Sequence, residues 1–242
     1  ILAGAGSGKT RVLTYRVAYL IEEKKVSPEE ILLVTFTNKA AAEMKQRLVT
    51  LVSNSMPLAG TFHSICSKIL HQENINFTIY DDNDSVDLIK TVMEKMDIST
   101  KNFNPHAVLV TISGAKNQLI SAIEYPQYAR GFWQETVSQI YLSYQKALKE
   151  ADALDFDDLI METVRLFKKS PEILEKYQNK WRYILVDEYQ DTNNAQFELT
   201  RMLAKKYGNI CVVGDFSQSI YSWRGADYRN LLKFKTEFSK GK

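Results

Sequence analysis

"AGAGSGKT", residues 3–10, is the stretch that decides the fold. It follows the pattern G-x-x-x-x-G-K-[ST], with Ala3 standing in the first position. Gly4, Gly6 and Gly8, with Ala5 and Ser7 between them, let the backbone curl so that successive N–H groups point inward at phosphate oxygens. The loop opens a helix, whose N-terminal dipole adds positive potential at the same spot. Lys9 can then reach the β- and γ-phosphates, and Thr10 can offer its hydroxyl to Mg²⁺. A flexible glycine turn would account for the glycines alone, but not for a strand before them and a helix after. Only "ILA" precedes the loop and the first residue is Ile1, so the chain is expected to be a fragment cut at both ends.

Outward from the loop, apolar runs alternate with helical periodicity. Val12, Leu13, Val17, Leu20 and Ile21 recur at the spacing of one helix face within 7–25. "ILLVTFT" (31–37) is a continuous β-branched run, expected of a strand buried on both faces. Helix is expected over 39–52, a strand over 57–62 and a helix from about Ser64. "YILVDE" (183–188) and "NICVVGD" (209–215) are further buried strands, with a helix between them starting near Asn193, where Gln196 stands at capping-box spacing. Strands alternating with helices predict an α/β fold with a parallel sheet. Residues 75–154 break the rhythm: they are helix-rich and polar, without a buried strand run. In that stretch Trp133, Val137, Ile140, Tyr141, Tyr144 and Leu148 fall on one helical face, expected to be core. The predicted organisation is thus a discontinuous α/β domain, 1–74 and 155–242, interrupted by a helical subdomain at 75–154.

Composition agrees with an ordinary globular chain: 242 residues, 45% hydrophobic and 25% charged. A net charge of +2 is too small for a basic face, so any nucleic-acid site must be a local groove. No stretch approaches the ~20 apolar residues of a membrane span, and no signal peptide is expected. Cys66 and Cys211 lack zinc spacing and are expected to be buried free thiols of a reducing compartment.

Two acidic strings matter. The strand 184–186 ends in Asp187 and Glu188, which in a phosphate-loop fold lie beside the loop. Asp187 is placed to hold the Mg²⁺ shell, and Glu188 to orient or deprotonate an attacking water. "LDFDDL" (154–159) carries Asp155, Asp157 and Asp158. A metal site is one reading; a solvated helix start, favoured by the dipole, is the expectation.

The strings "AGAGSGKTR", "TFTNKAAAEM", "GTFHSI", "LDFDDL", "VDEYQDTN" and "VGDFSQSIYSWRGA" occur in this order. Together they resemble the N-terminal half of a UvrD/Rep/PcrA-type DNA helicase of superfamily 1, over essentially the whole chain. The resemblance implies a RecA-like ATPase domain with a helical insertion, using ATP and Mg²⁺ to move 3′ to 5′ on single-stranded DNA and at duplex junctions in the cytoplasm. It implies that Gln218 senses the γ-phosphate, Trp223 stacks on a base, and Tyr221 and Arg224 lie on the strand, so that one turn reports nucleotide state to DNA. Aromatic stacking holds DNA without reading its sequence, at ~1–3 kcal/mol per base. Phe36 is implied as a second wedge among Thr35, Thr37, Asn38 and Lys39, while Thr61 and His63, flanking Phe62, line the backbone path and Arg11 lies against adenine. Ser217 stands where many relatives carry an acid, a departure of little consequence. The family's upstream adenine-recognising glutamine motif and its second RecA-like domain, with arginine fingers and a base-covering tyrosine, are not in these residues, so half a site is expected. A kinase or GTPase-like switch would need an N-K-x-D string, which is absent. A non-catalytic DNA scaffold would not need Lys9, Asp187, Glu188 and Gln218 together. Helicase–nuclease subunits share the motifs, but the short insertion favours the plain helicase.

Overall fold

The computed structural model describes residues 1, 4, 6–52, 56–215 and 229–238, in two compact units. One comprises Ile1–Ile65 with Val164–Lys242; the other is Cys66–Thr163.

The first unit is built on a parallel sheet. Helix α1 (Lys9–Glu22) leaves the loop through Gly8, whose φ of 87° lies in the left-handed region that favours glycine. Strand β1 (Ile31–Thr35) is buried along its whole length, as a continuous apolar run requires. Helix α2 (Asn38–Val49) is capped by the Thr37 side chain, which accepts from the Ala40 N–H. Strand β2 (Leu58–Thr61) leads directly into helix α3 (Phe62–Gln72), which starts ahead of its expected position at Ser64. Strand β2 pairs with β1 in the register Leu32↔Leu58 to Thr35↔Thr61.

The second unit follows, with strand β3 (Thr78–Tyr80), helix α4 (Asp82–Lys95), helix α5 (Pro105–Asn117), helix α6 (Gly131–Glu150), strand β4 (Ala153–Asp155) and the start of helix α7 (Phe156–Lys169). Its core collects Ile89, Met93, Val108 and Ile112 with Val137, Ile140, Tyr141, Tyr144 and Leu148 of α6. The expected apolar face of α6 is therefore core, with partly buried Trp133 stacked on Phe103 at 5.0 Å. Strands β3 and β4 pair in parallel, a ladder the sequence did not signal: each has three residues and β3 is largely exposed.

"LDFDDL" requires a correction. It does begin a helix, but it is not solvated. Asp155 and Asp158 are buried, and both lie on the fully buried ammonium of Lys116, at 2.6 and 2.8 Å. Asp155 and Asp158 also cap α7 reciprocally, each accepting from the other's backbone N–H. Among the described residues, no group of three or more His, Cys, Asp or Glu could hold a metal ion. The cysteines differ too: burial pushes the Cys66 thiol up to about 12, while Cys211 is only half-buried.

The chain then completes the first unit with helix α8 (Pro171–Lys180), strand β5 (Tyr183–Val186), helix α9 (Asn194–Ala204), strand β6 (Ile210–Val212) and helix α10 (Arg229–Glu237). The expected capping box is present on α9, where Asn193 accepts from Gln196 N–H and Gln196 returns the bond. Sheet order is β2–β1–β5–β6, all parallel. Ile1 extends it beyond β6, its nitrogen donating to the Val212 carbonyl at 2.7 Å and its carbonyl accepting from Gly214 N–H at 3.2 Å. Leu13, Val17 and Leu20 of α1 and Met44 and Leu48 of α2 seal one sheet face against Ile31, Leu33 and Leu185. Each such buried side chain stabilises by about 1.5–3 kcal/mol before the entropy of ordering is counted. Among the described residues, no helix is long and apolar enough to cross a membrane.

Candidate functional site at the strand ends

The carboxyl ends of parallel strands are where α/β sheets bind ligands, because the following loops leave there together. Here the loop before α1 and the end of β5 meet at that edge. Gly6 and Gly8 adopt φ of 69° and 87°, and Ser7 folds back on the Gly4 carbonyl through both its N–H (3.3 Å) and its hydroxyl (2.6 Å). This curl turns the loop toward the N-terminus of α1. Thr10, in the first turn, donates its hydroxyl to Asp187 Oδ2 at 2.9 Å. Burial raises the Asp187 pKa above its ordinary value, and the Glu188 carboxylate adds to that against the pull of the Thr10 bond. A hydroxyl and a carboxylate side by side are hard oxygen donors suited to Mg²⁺.

Lys9 is buried, with its ammonium 3.6 Å from Glu188 Oε2 and 3.9 Å from Asp215 Oδ2. Glu188 itself sits at φ 48°, ψ 43°, a left-handed backbone that costs a non-glycine residue about 1–2 kcal/mol. The conformation turns the chain out of β5 into a 3-10 turn, Tyr189–Asp191. The ladder holds the bend in place: Asp187 N–H donates to Val34, Tyr189 N–H to Val213 and Val213 N–H to Val186. A cavity of about 280 Å³ opens here, lined by Gly6, residues 8–11, Arg47 and Glu188. A second, of about 310 Å³, is bounded by Arg11, Thr14, Tyr15, Arg47, Thr50 and Leu51, with the Arg11 guanidinium 5.3 Å from the centre of the Tyr15 ring.

Of the residues expected on DNA, those described lie at the ends of β1 and β2 and in the first turns of α2 and α3. Thr35 and Thr61 are ladder partners. Buried Thr35 donates its hydroxyl to the Thr37 carbonyl, and Thr61 Oγ1 accepts from Ser64 N–H. Phe36 is half-buried and meets buried Phe62 edge-on, ring centres 5.8 Å apart. Asn38 and Lys39 are exposed at the start of α2, and His63 is half-buried in the first turn of α3. Ala3, Ala5, Gln218, Tyr221, Trp223 and Arg224 lie outside the described residues.

Gln190, Asp191 and Asp215 belong to the site but were given no role from sequence, although each stands inside a quoted motif. Gln190 donates to Glu188 Oε2 (3.0 Å) and Asp191 Oδ2 (3.2 Å) and accepts from Asp215 N–H (2.9 Å). Arg47 was likewise missed: its place on the cavity wall depends on how α2 packs, which helical spacing alone does not specify.

A parallel sheet with a phosphate-type loop and paired acids joined at its carboxyl edge defines a mixed α/β domain of the RecA-like phosphate-loop class. The chain belongs to the UvrD/REP helicase N-terminal domain family, whose profile matches residues 1–239. It is 49% identical, over 98% of its length, to the ATP-dependent DNA helicase PcrA of Bacillus subtilis (strain 168), and equally so to that of Staphylococcus aureus (strain Mu50 / ATCC 700699). It is 50% identical over its whole length to the PcrA of Staphylococcus epidermidis RP62A. It covers 33%, 34% and 34% of these relatives, about a third of their length.

Proposed function

We propose that this chain is the ATP-binding motor domain of an ATP-dependent DNA helicase that moves 3′ to 5′ on single-stranded DNA and acts at duplex junctions. The observation that carries the reading is the Thr10–Asp187 hydrogen bond, which joins the loop to the acids at the end of β5. The names of the relatives, ATP-dependent DNA helicases, support it. In this reading the loop N–H groups hold the ATP phosphates, Lys9 neutralises charge on the β- and γ-phosphates, and Arg11 lies against the adenine. Thr10 and Asp187 hold Mg²⁺, which when bound neutralises phosphate charge. Glu188 accepts the proton of the attacking water as the water oxygen bonds to the γ-phosphorus and the bond to the β-phosphate oxygen breaks, releasing ADP and phosphate. Gln218 reads the γ-phosphate. Phe36, Tyr221 and Trp223 stack on bases, while Arg224, Thr61, His63 and the residues around Phe36 follow the backbone. A second RecA-like domain of the same protein completes the site, residues 75–154 are a helical insertion, and the protein works in the cytoplasm.

Replacement of the base tests the reading. Glu188→Gln, made in the complete protein that carries this chain, should keep Mg·ATP binding and lower steady-state hydrolysis by about 10²–10⁴-fold. Near-normal turnover would move the role to another residue.

A further inference from the structure

The side chain of Gln190 is buried at 1% exposure and has a single sensible orientation. Its Nε2 faces two carboxylate oxygens, Glu188 Oε2 at 3.0 Å and Asp191 Oδ2 at 3.2 Å. Its Oε1 faces the backbone N–H of Asp215 at 2.9 Å. Turning the amide over would set its carbonyl against both carboxylates and its NH₂ against an N–H, so the network itself assigns the atoms. Gly214 keeps the space for this contact: a Cβ there would stand 2.7 Å from Gln190 Oε1.

We infer that Gln190 is a positioning residue for hydrolysis, setting the Glu188 carboxylate against the corner at Gly214–Asp215 through its two-ended amide. The inference rests on the proposed role of Glu188 as base. Two physical effects underlie it. Glu188 leaves the strand on a left-handed backbone, so its side chain is aimed by a conformation with little intrinsic preference and needs an external hold. The amide N–H groups also stand between the Glu188 and Asp191 carboxylates, whose mutual repulsion would otherwise push the base out of place. At the other end, Oε1 ties that position to Asp215, the residue from which the segment carrying Gln218 and Trp223 departs. Gln190 does not line the cavity and reaches its wall only through the Glu188 carboxylate, so it should act on catalysis and not on nucleotide affinity.

The test is steady-state ATP hydrolysis by the complete protein at saturating oligothymidylate, comparing Gln190→Ala, Gln190→Glu and Glu188→Gln with wild type. Gln190→Glu keeps shape and acceptor but replaces the donor with a third carboxylate, so it decides the matter if Gln190→Ala does not fold. The expected result is a fall in kcat of about 10- to 100-fold for either Gln190 variant, the scale of a misplaced reacting group, with KM for ATP within a few-fold of wild type. A folded Gln190→Glu with unchanged kcat, or with loss confined to KM or thermal stability, overturns the inference. If Glu188→Gln also turns over normally, the assignment of the base has failed instead, so the two failures can be told apart.

Discussion

Asp191 is a buried acid with one oxygen, Oδ1, lacking a hydrogen-bond partner among the described residues. Burial, and then the neighbouring Glu188 carboxylate, push its pKa up from 3.8 to about 6. The folded protein therefore holds a proton in a pH range where the unfolded chain has released it. The stability tied to this proton is fully present below pH 4 and is lost as pH rises through about 6. Asp191→Asn keeps the shape and stays neutral, so it should equal wild type near pH 4 and exceed it at pH 7.5 by about 1–3 kcal/mol. Urea denaturation of both proteins at the two pH values checks this. An equal difference at both would show that Asp191 ionises freely in the folded state.

Among the elements, α5, α6, β4 and α7 are tied by one ionic cluster. Lys116 in the last turn of α5 meets Asp155 at the end of β4 and Asp158 in the first turn of α7. From α6, the Tyr144 hydroxyl donates to Asp155 Oδ2 at 2.9 Å and the Gln145 amide to Asp158 Oδ2 at 3.1 Å. Burial opposes the Lys116 charge, but the two carboxylates hold its pKa above the ordinary lysine value. Burial likewise works against Asp155, yet Lys116 and the surrounding donors keep it below the usual range, while at Asp158 burial wins and raises it to about 6. Removing one partner of such a cluster is costlier than removing all, because it strands a buried charge. Lys116→Met should therefore destabilise by about 3–5 kcal/mol. Adding Asp155→Asn and Asp158→Asn to it should recover part of that loss. Urea titration followed by circular dichroism measures both, and a loss under about 1 kcal/mol for Lys116→Met would mean that the cluster is hydrated in solution.

For the whole molecule, the decisive fact is that the chain spans about a third of its curated relatives. The cavity at the strand ends is walled by the loop, Arg47 and Glu188, with Lys9 the buried cation in its lining. Phosphoryl transfer gains about 10³–10⁵ in rate from an arginine placed at the transferring phosphate by another domain. The 242-residue chain alone is accordingly expected to bind Mg·ATP weakly, to hydrolyse it near background, and to show neither stimulation by single-stranded DNA nor strand separation. A phosphate-release assay with and without an oligonucleotide decides this. Robust, DNA-stimulated turnover by a verified monomer would mean that an arginine of this chain, Arg47 or Arg224, completes the site.

What the sequence determined by itself were the features whose physics is local. The glycine spacing of the loop, the buried runs of β1 and β5, the apolar face of α6 and the cap at Asn193 are each written within a few residues, since backbone curl, strand burial, helical period and capping act over that range. The acids at 187 and 188 were legible for the same reason: they end a strand. The β3–β4 ladder was not, because strands of three residues are too short to show a period, and β3 is largely exposed. Nor was the burial of Asp155 and Asp158, whose cationic partner Lys116 lies 39 residues from Asp155. The amide of Gln190 finds its acceptor role 25 residues away at Asp215, across adjacent strand ends. Such pairings are decided by packing, which brings together groups that no local pattern relates. A buried charge or amide must find its partners wherever the fold has placed them, because the alternative is an unsatisfied polar group out of water.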